Sequence, residues 1–177
     1  RNAARAVFNA DKNDIVLACI GRGCAVKNLS FAVEIVQSLP EKYRLVIIGG
    51  GETDALKSRV TDLKLQDRIS VLGERNDIND LINGVDILLL PSLSEGLPMV
   101  VLEAQANGLK CIISDRVSDE CKALESAEFI PIESPVLWAE IILNSDISRN
   151  ANAIEIMKSK GFDVEAYAKR FLEIVNV

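Results

Sequence analysis

Two carboxylates, Glu95 and Glu103, stand eight residues apart in the stretch Pro91-Ser92-Leu93-Ser94-Glu95-Gly96-Leu97-Pro98-Met99-Val100-Val101-Leu102-Glu103-Ala104. Gly96 permits a turn, and Pro98 fits the first position of a helix, so free N–H groups of Gly96, Leu97, Met99 and Val100 can face an anion. The helix over 98–106 is nearly all apolar and is expected to be buried, with Glu103 as its only charged side chain. A carboxylate in that setting needs donors. The hydroxyls of a ribose would serve, and so would an internal arginine or backbone group. Glu95, ahead of the helix, can accept from a second polyol.

A second candidate is the run Gly21-Arg22-Gly23-Cys24-Ala25-Val26-Lys27-Asn28 before another predicted helix. Arg22 and Lys27 can converge on one anion at the helix start, or be solvated cations of a surface loop. The run is neither GxxxxGK[ST] nor GxGxxG. A third is Gly49-Gly50-Gly51-Glu52, where glycines either let the backbone approach a ligand or make a turn before a helix near Thr53. Glu74-Arg75-Asn76-Asp77 is a polar loop whose main chain can read a base or simply be exposed. Ser114-Asp115-Arg116 reads equally as a helix cap or a ligand contact. With no Asp-x-Asp, a carboxylate-held metal bridging a diphosphate is not expected, which leaves charge compensation to Arg22, Lys27 and a helix dipole.

Composition narrows the chemistry further. The chain has no histidine, so an imidazole base or a Ser/His or Cys/His pair cannot be completed within it. Cys19, Cys24, Cys111 and Cys121 form no CxxC pair and are expected to be reduced and mostly buried. Twenty Lys plus Arg against 26 Asp plus Glu give a net charge of −6, which disfavours a sequence-independent nucleic-acid binder. The longest apolar runs, such as 85–90, fall far short of the roughly 20 residues of a membrane-spanning helix. The start, RNAARAVFNADKND, has neither an initiating Met nor the apolar core of a signal peptide, so the chain is expected to be part of a longer protein.

The elements that must position these residues follow from hydrophobic period. Residues 15–20, 45–48, 69–72, 87–90, 111–113 and 129–130 are continuous apolar runs, as strands covered on both faces should be. Ala32, Ile35, Val36 and Leu39, then Leu56, Val60 and Leu63, mark helices between them. Later, Trp138, Ile141 and Ile142, then Ile154 and Met157, then Ala168, Phe171, Leu172 and Val175 mark three helices without strands between. At 177 residues, with 49% hydrophobic and 26% charged, one domain is expected: an α/β, Rossmann-like, doubly wound parallel sheet of about six strands, helices on both faces, and a helical C-terminus. Residues 1–14 are expected to be an inter-domain connector and 15–177 the domain proper. Ligands of such a sheet bind beyond the carboxyl ends of its strands, where all the loops above lie.

SEGLPMVVLEAQANG, with its E-x7-E spacing, resembles the signature of the retaining glycosyltransferases of family 4, which have the GT-B fold. GR-x4-KN, LVIIGGGE and DRISVLGERNDINDLINGVDILLLPS follow the same family's order, and CIISDRVSDE with the SPVLWAE helix is most similar to the branch that builds bacterial capsular polysaccharide or exopolysaccharide. Lys110, where the family often has Pro, is a departure. The resemblance implies the C-terminal, nucleotide-sugar-binding domain of such an enzyme, its N-terminal acceptor domain absent. It implies that Arg22 and Lys27 hold the diphosphate, Glu103 the ribose, and Glu95 the sugar hydroxyls. The amides of residues 96–100 would cover phosphate and sugar. From the loops themselves, Gly50, Arg75 and Asn76 are the candidates to complete the nucleotide site. It further implies a UDP-linked hexose donor, no metal, transfer aided by the departing phosphate, and a full-length protein at the inner face of the cell membrane. The fragment alone would bind nucleotide but transfer sugar poorly. A UDP-sugar 2-epimerase-like domain and a non-catalytic nucleotide-sugar sensor are the alternatives.

Overall fold

Continuous apolar strands require cover on both sides, and the fold supplies it. The computed structural model describes residues 1–163. Its strands are β1 (Ile15–Ile20), β2 (Tyr43–Ile48), β3 (Ile69–Gly73), β4 (Ile87–Leu90), β5 (Lys110–Ser114) and β6 (Ala127–Ile130), all parallel, in the order β3-β2-β1-β4-β5-β6. In register, Leu17 of β1 lies beside Leu45 of β2 on one side and Ile87 of β4 on the other. The helices are α1 (Asn2–Val7), α2 (Leu29–Gln37), α3 (Asp54–Asp62), α4 (Ile78–Leu81), α5 (Met99–Ala106), α6 (Pro135–Asn144) and α7 (Ala153–Ser159).

Alternate strand residues feed two cores. Leu17, Cys19, Leu45, Ile47 and Leu89 pack with Ile35 and Val36 of α2, Leu56 and Val60 of α3, and Trp138 and Ile142 of α6. Val16, Ala18, Ile20, Val46 and Leu90 pack on the opposite face with Ala4 of α1, Leu81 of α4, and Val101 and Ala104 of α5. Trp138 is fully buried, meets Phe31 edge-on with ring centroids 5.6 Å apart, and donates its Nε1–H to the Pro131 carbonyl at 2.9 Å. Among the described residues no helix is long and apolar enough to cross a membrane.

The doubly wound sheet is as expected, with β2, β3, β5 and β6 each longer than the apolar run that announced it. The segment read as a connector contains α1, and Ala4 of that helix and Phe8 just after it sit in the second core. The helix marked by Ala168, Phe171, Leu172 and Val175 lies outside the described residues.

At the end of the sheet away from the candidate loops, Asp86, just before β4, is buried and holds three segments together. It accepts from Arg5 Nη2 of α1, from Arg1 Nη2 at 2.6 Å, and from the Val16 amide of β1 at 2.8 Å. Removing one partner leaves buried donors unmatched, which typically costs about 3–5 kcal/mol. Asp86→Ala is therefore expected to lower unfolding free energy in urea by about 3 kcal/mol and to expose α1 to early proteolysis.

Candidate functional site

The strand order creates an opening where β1 and β4 lie side by side, because α2 following β1 packs on one face and α5 following β4 on the other. The loop after β1 passes through a 3-10 turn (Ala25–Lys27), and Asn28, at a φ of 50°, turns the chain into α2. The loop after β4 carries Ser92 and Glu95 towards it. Lys27 Nζ meets Glu95 Oε1 at 2.6 Å, each side chain 18% exposed, and the buried Ser92 donates its hydroxyl to the same oxygen at 2.9 Å. The Leu93 amide donates to the Val26 carbonyl at 2.8 Å, joining the two loops through their backbones as well. From the far side the loop after β5 props Glu95, whose carbonyl accepts from the Ser118 amide at 3.3 Å.

The glycines explain how closely the first two loops approach. The Gly23 amide donates to the Gly50 carbonyl at 2.6 Å, and the Glu52 amide to the Gly23 carbonyl at 2.9 Å. A Cβ on Gly49, whose φ is 150°, would stand 1.9 Å from the Gly21 carbonyl oxygen, and one on Gly51, at 104°, 2.5 Å from that of Gly23. The run Gly49-Gly50-Gly51 is thus first a backbone seam between two loops. Beside the seam lies a cleft of about 560 Å³, with Arg22, Gly50, Glu74 and Arg75 as its polar lining and Ile20, Ile48 and Ile78 as its apolar part. Gly21 is shared: it borders the cleft, and the Lys27 stem runs over it, with Cε 3.1 Å from where a Cβ would be.

The expected residues therefore gather in two adjoining groups rather than one. Arg22, Gly50 and Arg75 line the cleft, while Lys27 and Glu95 form the ion pair beside it. Lys27 is engaged by Glu95, whereas Arg22 lines the cleft. Arg75 is gripped by Asp77 through Nε at 2.8 Å and Nη2 at 2.6 Å, a hydrogen bond that holds the Asp77 carboxyl below the usual carboxylate range. Asn76 is exposed next to the cleft without lining it.

Two expectations about the motif need correction. Glu103 is exposed, not buried in an apolar helix: α5 buries Val101, Ala104 and Gln105, whereas Met99 is 59% and Leu97 50% exposed. Glu103 is itself in contact with solvent, so it has no desolvation cost to offset. Pro98 is the residue before the first helical turn, with a ψ of 103°, and Met99 and Val100 lead the helix with the unpaired amides of its first turn. Ser114 caps no helix; its hydroxyl accepts from the Arg116 amide at 3.1 Å. Ser92 went unread as a site residue, although a serine directly behind an apolar strand and three residues before Glu95 was the available signal.

Cys19, Cys111 and Cys121 are buried and Cys24 is exposed. Burial pushes the Cys19 thiol up to about 12, opposed by the nearby Lys27 charge, and pushes Cys111 and Cys121 up as well.

A six-stranded parallel sheet in this order, with a cation–carboxylate pair at its central crevice, defines a Rossmann-like, doubly wound α/β domain. The comparisons agree and go further. The chain matches the family of glycosyl transferases group 1 over residues 1–142, and it belongs to that family. It is similar to the N,N'-diacetylbacillosaminyl-diphospho-undecaprenol alpha-1,3-N-acetylgalactosaminyltransferase of Campylobacter jejuni, 36% identical over 147 residues, 83% of this chain and 37% of that one. It is also similar to the UDP-Gal:alpha-D-GlcNAc-diphosphoundecaprenol alpha-1,3-galactosyltransferase of Escherichia coli, 34% identical over 122 residues, 65% of this chain and 32% of that one. Anabaena Alr3699/HepE, solved with UDP-glucose, shares the fold at a TM-score of 0.84 and 20% identity, over 99% of this chain and 52% of that one. The chain thus spans about half or less of the proteins it matches.

Glycine substitution and thiol labelling test this geometry. Gly49→Ala is expected to destabilise the fold by about 2 kcal/mol or more, since backbone rather than a side chain would have to yield. Gly96→Ala, with nothing within 4 Å of the added carbon, should stay within about 0.5 kcal/mol of the parent in the same urea titration. With a thiol-reactive chromophore, one cysteine should react fast under native conditions and the rest only on unfolding. Cys24→Ser should remove that fast phase.

Proposed function

We propose that this chain is the nucleotide-sugar-binding half of a retaining glycosyltransferase, taking a UDP-linked hexose and serving a saccharide or lipid-linked acceptor in bacterial polysaccharide assembly. The observation that carries the reading is the Lys27–Glu95 pair at the central crevice, directly beside the Arg22-lined cleft. A cation and a polyol acceptor sit where a diphosphate and its sugar would meet. In this reading Arg22, Lys27 and the amides of Met99 and Val100 hold the diphosphate, and Glu95 takes hydroxyls of the sugar. Glu103, which makes no hydrogen bond or ion pair through its side chain among the described residues, accepts from the ribose, and Gly50, Arg75 and Asn76 border the base. The UDP-galactose in the name of the Escherichia coli relative and the UDP-glucose held by the Anabaena protein support a uridine donor.

The chemistry asks little of the chain itself. The bond between the anomeric carbon and the diphosphate oxygen breaks, and an acceptor oxygen bonds to that carbon on the same face. The departing phosphate takes the acceptor's proton. Negative charge grows on the leaving diphosphate, and fixed cations with helix amides aimed at it lower that barrier without a protein nucleophile or a metal. The acceptor, and contact with the inner face of the membrane, belong to an N-terminal half.

Calorimetric titration with UDP, GDP and ADP, without added metal, tests the reading. UDP is expected to bind saturably and the other two more weakly. Lys27→Ala and Glu103→Ala should each weaken UDP about tenfold while the unfolding midpoint holds, as loss of a hydrogen bond to a charged group implies. The chain alone should transfer little or no sugar. A folded chain that binds none of the three nucleotides would overturn the assignment.

A further inference from the structure

Ser92 is fully buried, and its hydroxyl points at one oxygen of the Glu95 carboxylate, 2.9 Å away. That oxygen also receives Lys27 Nζ at 2.6 Å. The backbone on both sides is fixed: β4 and Pro91 precede Ser92, the Leu93 amide is held by the Val26 carbonyl, and the Glu95 carbonyl by the Ser118 amide. What remains free is the Glu95 side chain, and two donors restrain it.

Those donors have different futures when a nucleotide diphosphate arrives. The diphosphate carries more negative charge than one carboxylate, so it draws the Lys27 ammonium away, and Glu95 is left with Ser92. Without that hydroxyl the carboxylate, repelled by the phosphates, would rotate into water. With it, Oε1 stays anchored and Oε2 faces outward to accept from a sugar hydroxyl. We infer that Ser92 is a positioning residue that sets the preference for sugar-bearing over bare nucleotide by orienting Glu95. The inference rests on the proposed donor-binding role and assigns the selectivity of the same site to a residue behind it.

The experiment compares Kd for UDP with Kd for UDP-glucose, UDP-galactose and UDP-N-acetylglucosamine, in the parent chain and in Ser92→Ala, Ser92→Cys and Glu95→Gln. The parent should bind one sugar nucleotide more tightly than UDP. Ser92→Ala should leave UDP affinity within about twofold and reduce that preference about tenfold, a hydrogen bond to a charged group being lost. Ser92→Cys keeps the packing with a weaker donor and should fall between; it carries the comparison if the alanine variant fails to fold. In the Glu95→Gln background, which should itself lose most of the preference, Ser92→Ala should add little, because the two residues act as one unit. Equal weakening of UDP and sugar nucleotide by Ser92→Ala would show a structural role only and overturn the inference. So would an unchanged preference, or a parent that binds UDP but discriminates no sugar nucleotide from it; each of these leaves the nucleotide reading standing. A folded parent that binds no UDP overturns that reading, and the inference falls with it.

Discussion

Everything at the candidate site depends on one reversal of direction in the sheet. From β1 the chain steps outward through α2 and α3 on one face, returns to the middle through α4, and steps outward the other way through α5 on the opposite face. Right-handed crossovers allow this only if the helices following β1 and β4 diverge, and divergence leaves the ends of two adjacent strands uncovered. A parallel sheet has no other central place where loops from both faces meet. Lys27 comes from one side of that gap and Glu95 from the other, so their contact reports the topology as much as the local sequence.

The gap would collapse or splay without restraint from its neighbours. On one side the glycine seam fuses the loops after β1 and β2, using backbone approaches that a Cβ would forbid at Gly49 and Gly51. On the other, the Glu95 carbonyl leans on the Ser118 amide. At the opposite end of the central strands Asp86 ties α1, β1 and β4 into a fixed base. With backbone geometry set from three directions, the remaining freedom lies in side chains, which is the arrangement a pre-organised charge site requires. The Lys27–Glu95 pair is neither a surface ion pair, worth about 0–1 kcal/mol, nor a buried one whose breaking would be prohibitive. At 18% exposure on each side it is close enough to water for an incoming anion to displace.

The sheet was legible because burial on both faces forbids polar residues, and uninterrupted apolar runs this short suit a covered strand better than a helix. Strand ends were less so. Arg44, Lys110 and Glu128 sit inside β2, β5 and β6, at starts or on an edge where a long side chain reaches water or a partner, as Lys110 does with Glu128 at 2.6 Å. α1 was illegible because it is held by Asp86, more than 80 residues away. The charged residues of the site were all marked by loop position and type. Their grouping was not, since which loops touch depends on strand order, and an apolar run does not state its neighbour.

Glu103 departs from expectation for a physical reason and still merits its place. An apolar helix need not be a buried one: α5 begins at the crevice, where Leu97 and Met99 have no layer above them. The two carboxylates of the motif are therefore held in opposite conditions. Glu95 is paired twice and partly shielded, so a ligand must rearrange its partners before using it. Glu103 stands in solvent, and in the proposed role it would trade only water for a hydroxyl, an exchange that is nearly even in free energy and gains mainly from geometry. Under the proposed reading, a site with one restrained and one open carboxylate divides its work: the open group would hold the part of the ligand common to all donors, and the restrained group would respond to the part that differs.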